Sequence, residues 1–173
     1  MKEITFVTGN QNKLREFQQI LGVDLVNEPL DLPEIQSLDI EKIASYKAEE
    51  AYEILKKPVM IEDTGLYLEA LNDFPGPLVK FFLDSIGVEK LSEFKGGARA
   101  ATCIAYFDGN HVHTFIGETN GTIVNPRGES SFGFDPVFEY EGKTYAEMSK
   151  EEKNAISHRG KAIKKLKQFL ETK

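Results

Sequence analysis

A chain of 173 residues with 40% apolar and 28% charged side chains can bury one well-formed core, and this composition excludes a disordered or fibrous protein. Its 28 acidic residues outweigh 21 basic ones, and a formal charge of −7 argues against general affinity for a nucleic-acid backbone. No apolar run approaches the ~18 residues of a membrane span, and a single cysteine, Cys103, excludes an internal disulfide and points to a reducing, cytoplasmic setting.

The chain opens with a short apolar strand over 4–7, with no leader pattern ahead of it. The polar turn Thr8-Gly9-Asn10-Gln11-Asn12-Lys13 follows, then an amphipathic helix whose Leu14, Phe17 and Leu21 share one face. Such a turn brings unpaired backbone N–H groups, the positive end of a helix dipole and an ammonium to one point, which favours an anion such as phosphate. An ordinary strand, turn and helix with Asn10 as N-cap and a solvated Lys13 fits the same residues. A short strand is expected over 23–26, then a proline-punctuated loop through Glu34. The pattern over 40–55 is helical, and 58–61 reads as a buried strand ending in the turn Glu62-Asp63-Thr64-Gly65.

Phe74-Pro75-Gly76-Pro77 makes a rigid turn into a helix over 78–83 with Pro77 in its first turn, and Gly96-Gly97 closes a further helical piece. Strands over 99–107 and 112–118 flank Asp108-Gly109-Asn110, a strong hairpin signal, and a third run spans 121–124. Ser149 with Glu152 fits a capping box, and Ser157 caps a final helix striped by Ala162, Ile163, Leu166, Phe169 and Leu170. The sum is a single mixed α/β domain over 1–173 with no linker.

Polar clusters at the turns carry what chemistry there is. Adjacent carboxylates after a buried strand, Glu62 and Asp63, stand where α/β sheets place ligands. With a third acid such as Glu34 they could hold Mg²⁺, which takes few protein oxygens; alternatively Asp63 bonds local backbone N–H groups. Lys13, Lys80, Lys153, His158 and Arg159 could neutralise a triphosphate, Arg by a bidentate fork and Lys as point charges. Lys80 interrupts the apolar run 78–82, so it either snorkels to water or reaches a ligand. Phe132 and Phe134 around Gly133 offer a surface for base stacking or belong to the core. His111 and His113 read as a solvated strand face, Cys103 as a small buried hydrophobe, and Lys161, Lys164, Lys165 and Lys167 as the wet side of the last helix.

Seven motifs in order then carry a resemblance. Thr8-Gly9-Asn10 with Lys13, Leu32-Pro33-Glu34, Glu62-Asp63-Thr64-Gly65-Leu66, Phe74-Pro75-Gly76-Pro77, Phe132-Gly133-Phe134-Asp135-Pro136, Tyr145-Ala146-Glu147-Met148 and Glu152-Lys153-Asn154 with Ser157-His158-Arg159 are spaced as in the inosine triphosphate pyrophosphatase family. The chain resembles that family over residues 4 to about 170. The resemblance implies an α/β fold with an elongated, mixed central sheet, flanking helices and two lobes around a nucleotide-binding cleft, in a homodimer. It implies Mg²⁺-dependent hydrolysis of ITP, dITP or XTP to the monophosphate and pyrophosphate, with a small-molecule partner and neither nucleic acid nor membrane.

Carried over by position, residues Thr8, Gly9, Asn10, Gln11, Asn12 and Lys13 match the phosphate-binding turn. Glu34 and Asp63 match metal-binding acids, and Asp63 the general base. Lys47, Asp63, Thr64 and Lys80 match further nucleotide contacts; Phe132, Gly133, Phe134, Asp135, Lys153, His158 and Arg159 match the surroundings of base and sugar. Two segments depart from many bacterial relatives: Glu62-Asp63 replaces Asp-Asp, and 78–82 resembles the eukaryotic and archaeal branch. Two other functions share these residues: a broader triphosphatase releasing orthophosphate or acting on modified pyrimidines, and a nucleotide-sensing module without turnover.

Overall fold

Asn10 converts the first turn into a helix: its side chain accepts from the N–H groups of Asn12 (3.0 Å) and Lys13 (3.2 Å), and Gly22 ends the helix in the left-handed region at φ 73°. The computed structural model describes residues 3–173. Its first half contains β1 (Thr5–Phe6), α1 (Gln11–Leu21), β2 (Val26–Asn27), α2 (Ile40–Leu55), β3 (Val59–Leu68), β4 (Pro75–Gly76) and α3 (Val79–Leu91). The second half adds β5 (Gly96–Phe107), β6 (Val112–Ile123), β7 (Phe138–Tyr140), β8 (Lys143–Thr144), α4 (Lys150–Ile156) and α5 (His158–Glu171).

The strands form one mixed sheet in the order β2-β1-β3-β5-β6-β7-β8, with β4 paired to β3 off that path. Strand β1 lies parallel to β2 and β3, while β3, β5 and β6 run antiparallel as the long spine. Helices cover both faces at one end. Phe6, Phe17, Met60, Ile104, Ile163 and Leu166 pack α1 and α5 onto one face. Val7, Ile61, Cys103 and Ala105 meet the alanines Ala44, Ala48 and Ala51 of α2 on the other. At the far end of the spine Leu66, Leu68, Leu91, Ala100, Ile123, Phe138 and Tyr145 build a second lobe. Each fully buried Leu, Ile or Phe contributes about 1.5–3 kcal/mol, so both lobes have a substantial apolar basis.

Several elements run longer than the sequence suggests. Glu62-Asp63-Thr64-Gly65 is not a turn. These residues continue β3, with Glu62 opposite Ile104 and Asp63 opposite Cys103. The carboxylates tolerate mid-strand positions because cations from distant parts of the chain meet them on both faces. Gly65 lies under the Tyr67 ring, where a Cβ would come within 2.9 Å of a ring carbon. The runs 112–118 and 121–124 fuse into β6, since exposed Glu118 and Asn120 interrupt the apolar pattern without breaking the ladder. The strand expected over 23–26 contracts to Val26–Asn27. The helix expected from Leu78 begins one residue later and passes Gly87, at φ 79°, to Leu91, while Gly96-Gly97 opens β5 instead of closing a helix.

Candidate active site

Between the two lobes lies a cleft of about 970 Å³. Its floor is β3, its one end the turn before α1, and its walls are the loop through Glu34, the start of α3, the turn at 131–135 and the α4–α5 corner. At the first end Thr8 Oγ1 accepts from the Asn10 N–H at 3.1 Å, which holds the turn against the N-terminus of α1. Lys13 sits in the first helical turn with its ammonium 2.9 Å from Glu62 Oε2. This places a cation where the helix dipole already favours an anion.

The two adjacent acids of β3 face opposite ways because side chains alternate across a strand. Glu62 points toward α1 and α5 and is buried. Its Oε1 accepts from Thr64 Oγ1 (2.6 Å), Thr102 Oγ1 (3.3 Å) and Arg159 Nη2 (3.3 Å). Burial alone pushes its pKa up, but Arg159 and then Lys13 outweigh that and hold the carboxyl well below its usual range. Asp63 points toward α2, where Lys47 Nζ lies 2.9 Å from both Asp63 Oδ1 and Glu34 Oε1. Burial pushes Asp63 above the ordinary aspartate value, only partly offset by Lys47 and Lys13. Its Oδ2 is buried and has no hydrogen-bond partner among the described residues.

Those residues fit a divalent cation of the Mg²⁺ kind. Two carboxylates, Glu34 and Asp63, share one cation already, and one oxygen between them is buried and unsatisfied. Among the described residues no group of three or more His, Cys, Asp or Glu side chains could hold a metal ion. Mg²⁺ commonly uses one or two protein carboxylates and completes its shell with water and phosphate oxygens, whereas Zn²⁺ sites take three or four protein ligands.

At the other end of the cleft a buried ion network surrounds the aromatic turn. Lys153 Nζ reaches Asp135 Oδ2 at 2.7 Å and Glu16 Oε1 at 2.8 Å, and Arg159 donates to Glu16, to Glu62 and to Thr64 Oγ1 at 3.1 Å. Arg159 Nε is buried without a hydrogen-bond partner among the described residues. Burial raises Asp135, with Lys153 opposing, while Glu16 is drawn below its usual range by Arg159 and Lys153 despite burial. Phe132 lies near both cations, 5.1 Å from Lys153 Nζ and 5.6 Å from Arg159 Cζ. Gly133 takes φ 55°, the left-handed conformation that turns the chain between Phe132 and buried Phe134. His158, 3% exposed, is pushed well below the usual histidine value by burial and by neighbouring Arg159 and Lys153.

The cleft therefore gathers Thr8, Gly9, Asn10, Gln11, Lys13, Glu34, Lys47, Asp63, Thr64, Lys80, Phe132, Gly133, Phe134, Asp135, Lys153, His158 and Arg159. Asn12 is outside it: one step into α1, its side chain faces solvent and accepts from Arg15. Lys80 is exposed on the first turn of α3 and makes no ion pair among the described residues. Lys47 is engaged with two carboxylates rather than open to a ligand. Glu16 is the residue sequence reasoning left out of the site, and Glu62, expected to join Asp63 and Glu34 around a cation, instead faces away from both toward Lys13 and Arg159. A glutamate on a wet-looking helix gives no signal, whereas Glu62 carries one in its place beside Asp63 in an apolar run. Lys164 and Lys165 are exposed, as expected, and Lys161 is half-buried; Lys164, Lys165 and Lys161 donate to the carbonyls of Ala155, Ile116 and Glu118 respectively.

With this geometry in place, comparison with known proteins gives a consistent answer. A family model described as "Ham1 family" matches residues 4–169. The chain is 49% identical over 179 residues to the inosine triphosphate pyrophosphatase of Emericella nidulans, covering 98% of this chain and 97% of the relative. It is 47% identical over 185 residues to the protein of the same name from Kluyveromyces lactis, covering 97% and 95%. Among solved structures, a HAM1 protein from Coxiella burnetii superposes with TM-score 0.86 at 29% identity over all of both chains, and the Staphylococcus aureus Ham1 protein with 0.78 at 31% over 99% of each. Matched along nearly its whole length in both sequence and fold, the chain belongs to the Ham1 family.

Proposed function

We propose that this protein is a nucleoside triphosphate pyrophosphatase that hydrolyses the non-standard purine nucleotides ITP, dITP and XTP to the monophosphate and pyrophosphate. The observation that carries the reading is two buried atoms of residues lining one cleft that have neither a hydrogen-bond nor an ion-pair partner among the described residues: the acceptor Asp63 Oδ2 and the donor Arg159 Nε. A buried polar atom without a partner costs about 1–3 kcal/mol, and here each offers what a metal-bound purine nucleotide would satisfy. The names of the relatives from Emericella nidulans and Kluyveromyces lactis support the same substrate.

Glu34 and Asp63 would hold Mg²⁺, which supplies charge neutralisation at the phosphate oxygens. The N-terminal turn of α1 with Lys13, and Lys80 from across the cleft, would hold the triphosphate. Asp63, made more basic by burial, would take a proton from a water placed in line with the α-phosphorus. The new bond runs from the water oxygen to that phosphorus. The bond to the bridging oxygen breaks, and its electron pair leaves on pyrophosphate beside the lysines. At the other end Phe132 would stack on the base, while Lys153 and Arg159 present donors only. A 6-oxo purine satisfies donors; a 6-amino purine leaves them unpaired, which can discriminate against ATP by orders of magnitude.

The setting we propose is a cytoplasmic homodimer acting on a small molecule, without a nucleic-acid or membrane partner. The charge of −7 supports the former exclusion, and among the described residues no helix is long and apolar enough to cross a membrane. The test is pyrophosphate release from ITP, dITP, XTP, GTP, ATP and dTTP, with Mg²⁺ and with EDTA. Fast, metal-dependent release from the first three alone is the expected result. Equal turnover of the standard nucleotides, or orthophosphate as product, overturns it.

A further inference from the structure

One sequence motif, Tyr145-Ala146-Glu147-Met148, contributes nothing to the cleft wall, yet its tyrosine lies directly behind it. Tyr145 is 1% exposed, and its ring lies nearly parallel to that of His158, at 8° and 5.8 Å between centroids. Phe134 flanks the same imidazole at 5.8 Å, so the ring has aromatic neighbours in both Tyr145 and Phe134. The phenol oxygen is 3.4 Å from His158 Nδ1.

The position of Tyr145 is itself firmly set. It begins a single 3-10 turn, Tyr145–Glu147, closed by a capping box in which Thr144 and Glu147 bond each other's backbone. Arg127 clamps that turn by donating to Glu147 Oε1 at 3.0 Å, while its carbonyl accepts from Thr144 Oγ1 at 2.8 Å. A phenol held so tightly behind a cleft histidine has more to do than fill space.

We propose that Tyr145 is a positioning residue: its hydroxyl donates to Nδ1 of His158, fixing the imidazole in the Nε2–H form so that the edge left for the cleft is a hydrogen-bond donor to a substrate oxygen. The inference rests on the nucleotide reading of the cleft for the identity of that oxygen. Burial keeps the imidazole neutral, so one ring nitrogen donates and the other accepts, and it keeps the phenol protonated, so the phenol has a proton to give. Stacking sets the plane of the imidazole, and the hydroxyl sets which way its single proton faces.

The test is the tautomer of His158 in the free protein, read by long-range ¹H–¹⁵N correlation of the imidazole, in wild type and in Tyr145→Phe. Phenylalanine keeps the stacked ring and removes only the hydroxyl. The expected result is a single Nε2–H form in wild type and mixed tautomers in Y145F, with KM for ITP raised about 2- to 10-fold and kcat nearly unchanged, the range for one neutral hydrogen bond. An Nδ1–H form in the wild-type protein overturns the proposal without any variant, as does a Y145F protein whose tautomer and KM match wild type. If wild type releases pyrophosphate from no nucleotide, the reading of the cleft falls instead, and the tautomer alone decides the role of Tyr145.

Discussion

Replacing Glu62 with glutamine isolates the charge at the centre of the molecule. The side chain is fully buried, so solvent screening does not dilute its interactions. Glutamine keeps a carbonyl oxygen for Thr64, Thr102 and Arg159, but turns an amide N–H₂ toward Lys13, donor against donor. Among the described residues Arg159 retains only Glu16 as a charged partner at hydrogen-bond distance. Breaking a buried pair by neutralising one member costs about 3–5 kcal/mol, and the conserved shape of glutamine favours the lower figure. At about 2–4 °C per kcal/mol for a chain of this length, 3 kcal/mol lowers Tm by about 6–12 °C, measurable by calorimetry at pH 7. The pH dependence carries a second signature. The folded pKa of Glu62 lies below its unfolded value, so its ionic contribution is complete above the usual glutamate range and disappears as pH falls through the depressed folded value. The Tm gap between wild type and E62Q is therefore constant from pH 8 to 5 and narrows below about pH 4.5. A gap under 2 °C at neutral pH, or one that widens in acid, refutes the reasoning.

Three other outcomes follow from the same geometry. Asp63→Asn lowers kcat by about 10²–10⁴, the range for general-base catalysis, while calorimetric titration still detects nucleotide binding; unchanged turnover removes Asp63 from the mechanism. Lys47→Met takes the ammonium from between Glu34 and Asp63, and Mn²⁺ affinity of the ligand-free protein, followed by electron paramagnetic resonance, rises about 5-fold for roughly 1 kcal/mol of lost competition; unaltered affinity means that the cation does not bind between them. Gly117→Ala places a Cβ 2.1 Å from the His158 carbonyl oxygen and 2.5 Å from the Ala162 nitrogen, both backbone atoms of α5. It destabilises by about 1–3 kcal/mol in thermal melts and displaces the N-terminal end of α5; a wild-type Tm shows that the helix yields freely.

Local chemistry was legible where a residue acts through its own neighbours. Asn10 caps α1 through N–H groups two and three residues on, and Ser149 with Glu152 does the same for α4. What sequence patterning could not reveal depends on distant partners. Two acids in succession resemble a turn unless Arg159, 97 residues away, and Lys13, across the cleft, are known to face one of them. Glu16 resembles solvated helix surface until α4 and α5 fold over it with Lys153 and Arg159. Asn12 fails for the opposite reason: membership of a motif says nothing about direction, and its place in the first helical turn points it outward. The family resemblance located the cleft; it did not say which charges inside it are already balanced.

Strand β3 separates that balance from the acid proposed as the base by a single residue. Glu62, with both oxygens facing cations on the side of α1 and α5, and Asp63, with one oxygen on Lys47 and the other open on the side of α2, differ only in being even or odd along one ladder with β5. Their roles are thus matters of parity. Inserting or deleting one residue ahead of this pair within β3 would exchange the two environments, putting Asp63 on the side of Lys13 and Arg159 and Glu62 on the side of Glu34 and Lys47. A two-residue change would move the pair along the sheet yet keep each acid on its own side. The sheet's pairing register is as much a determinant of the chemistry here as the identity of either side chain.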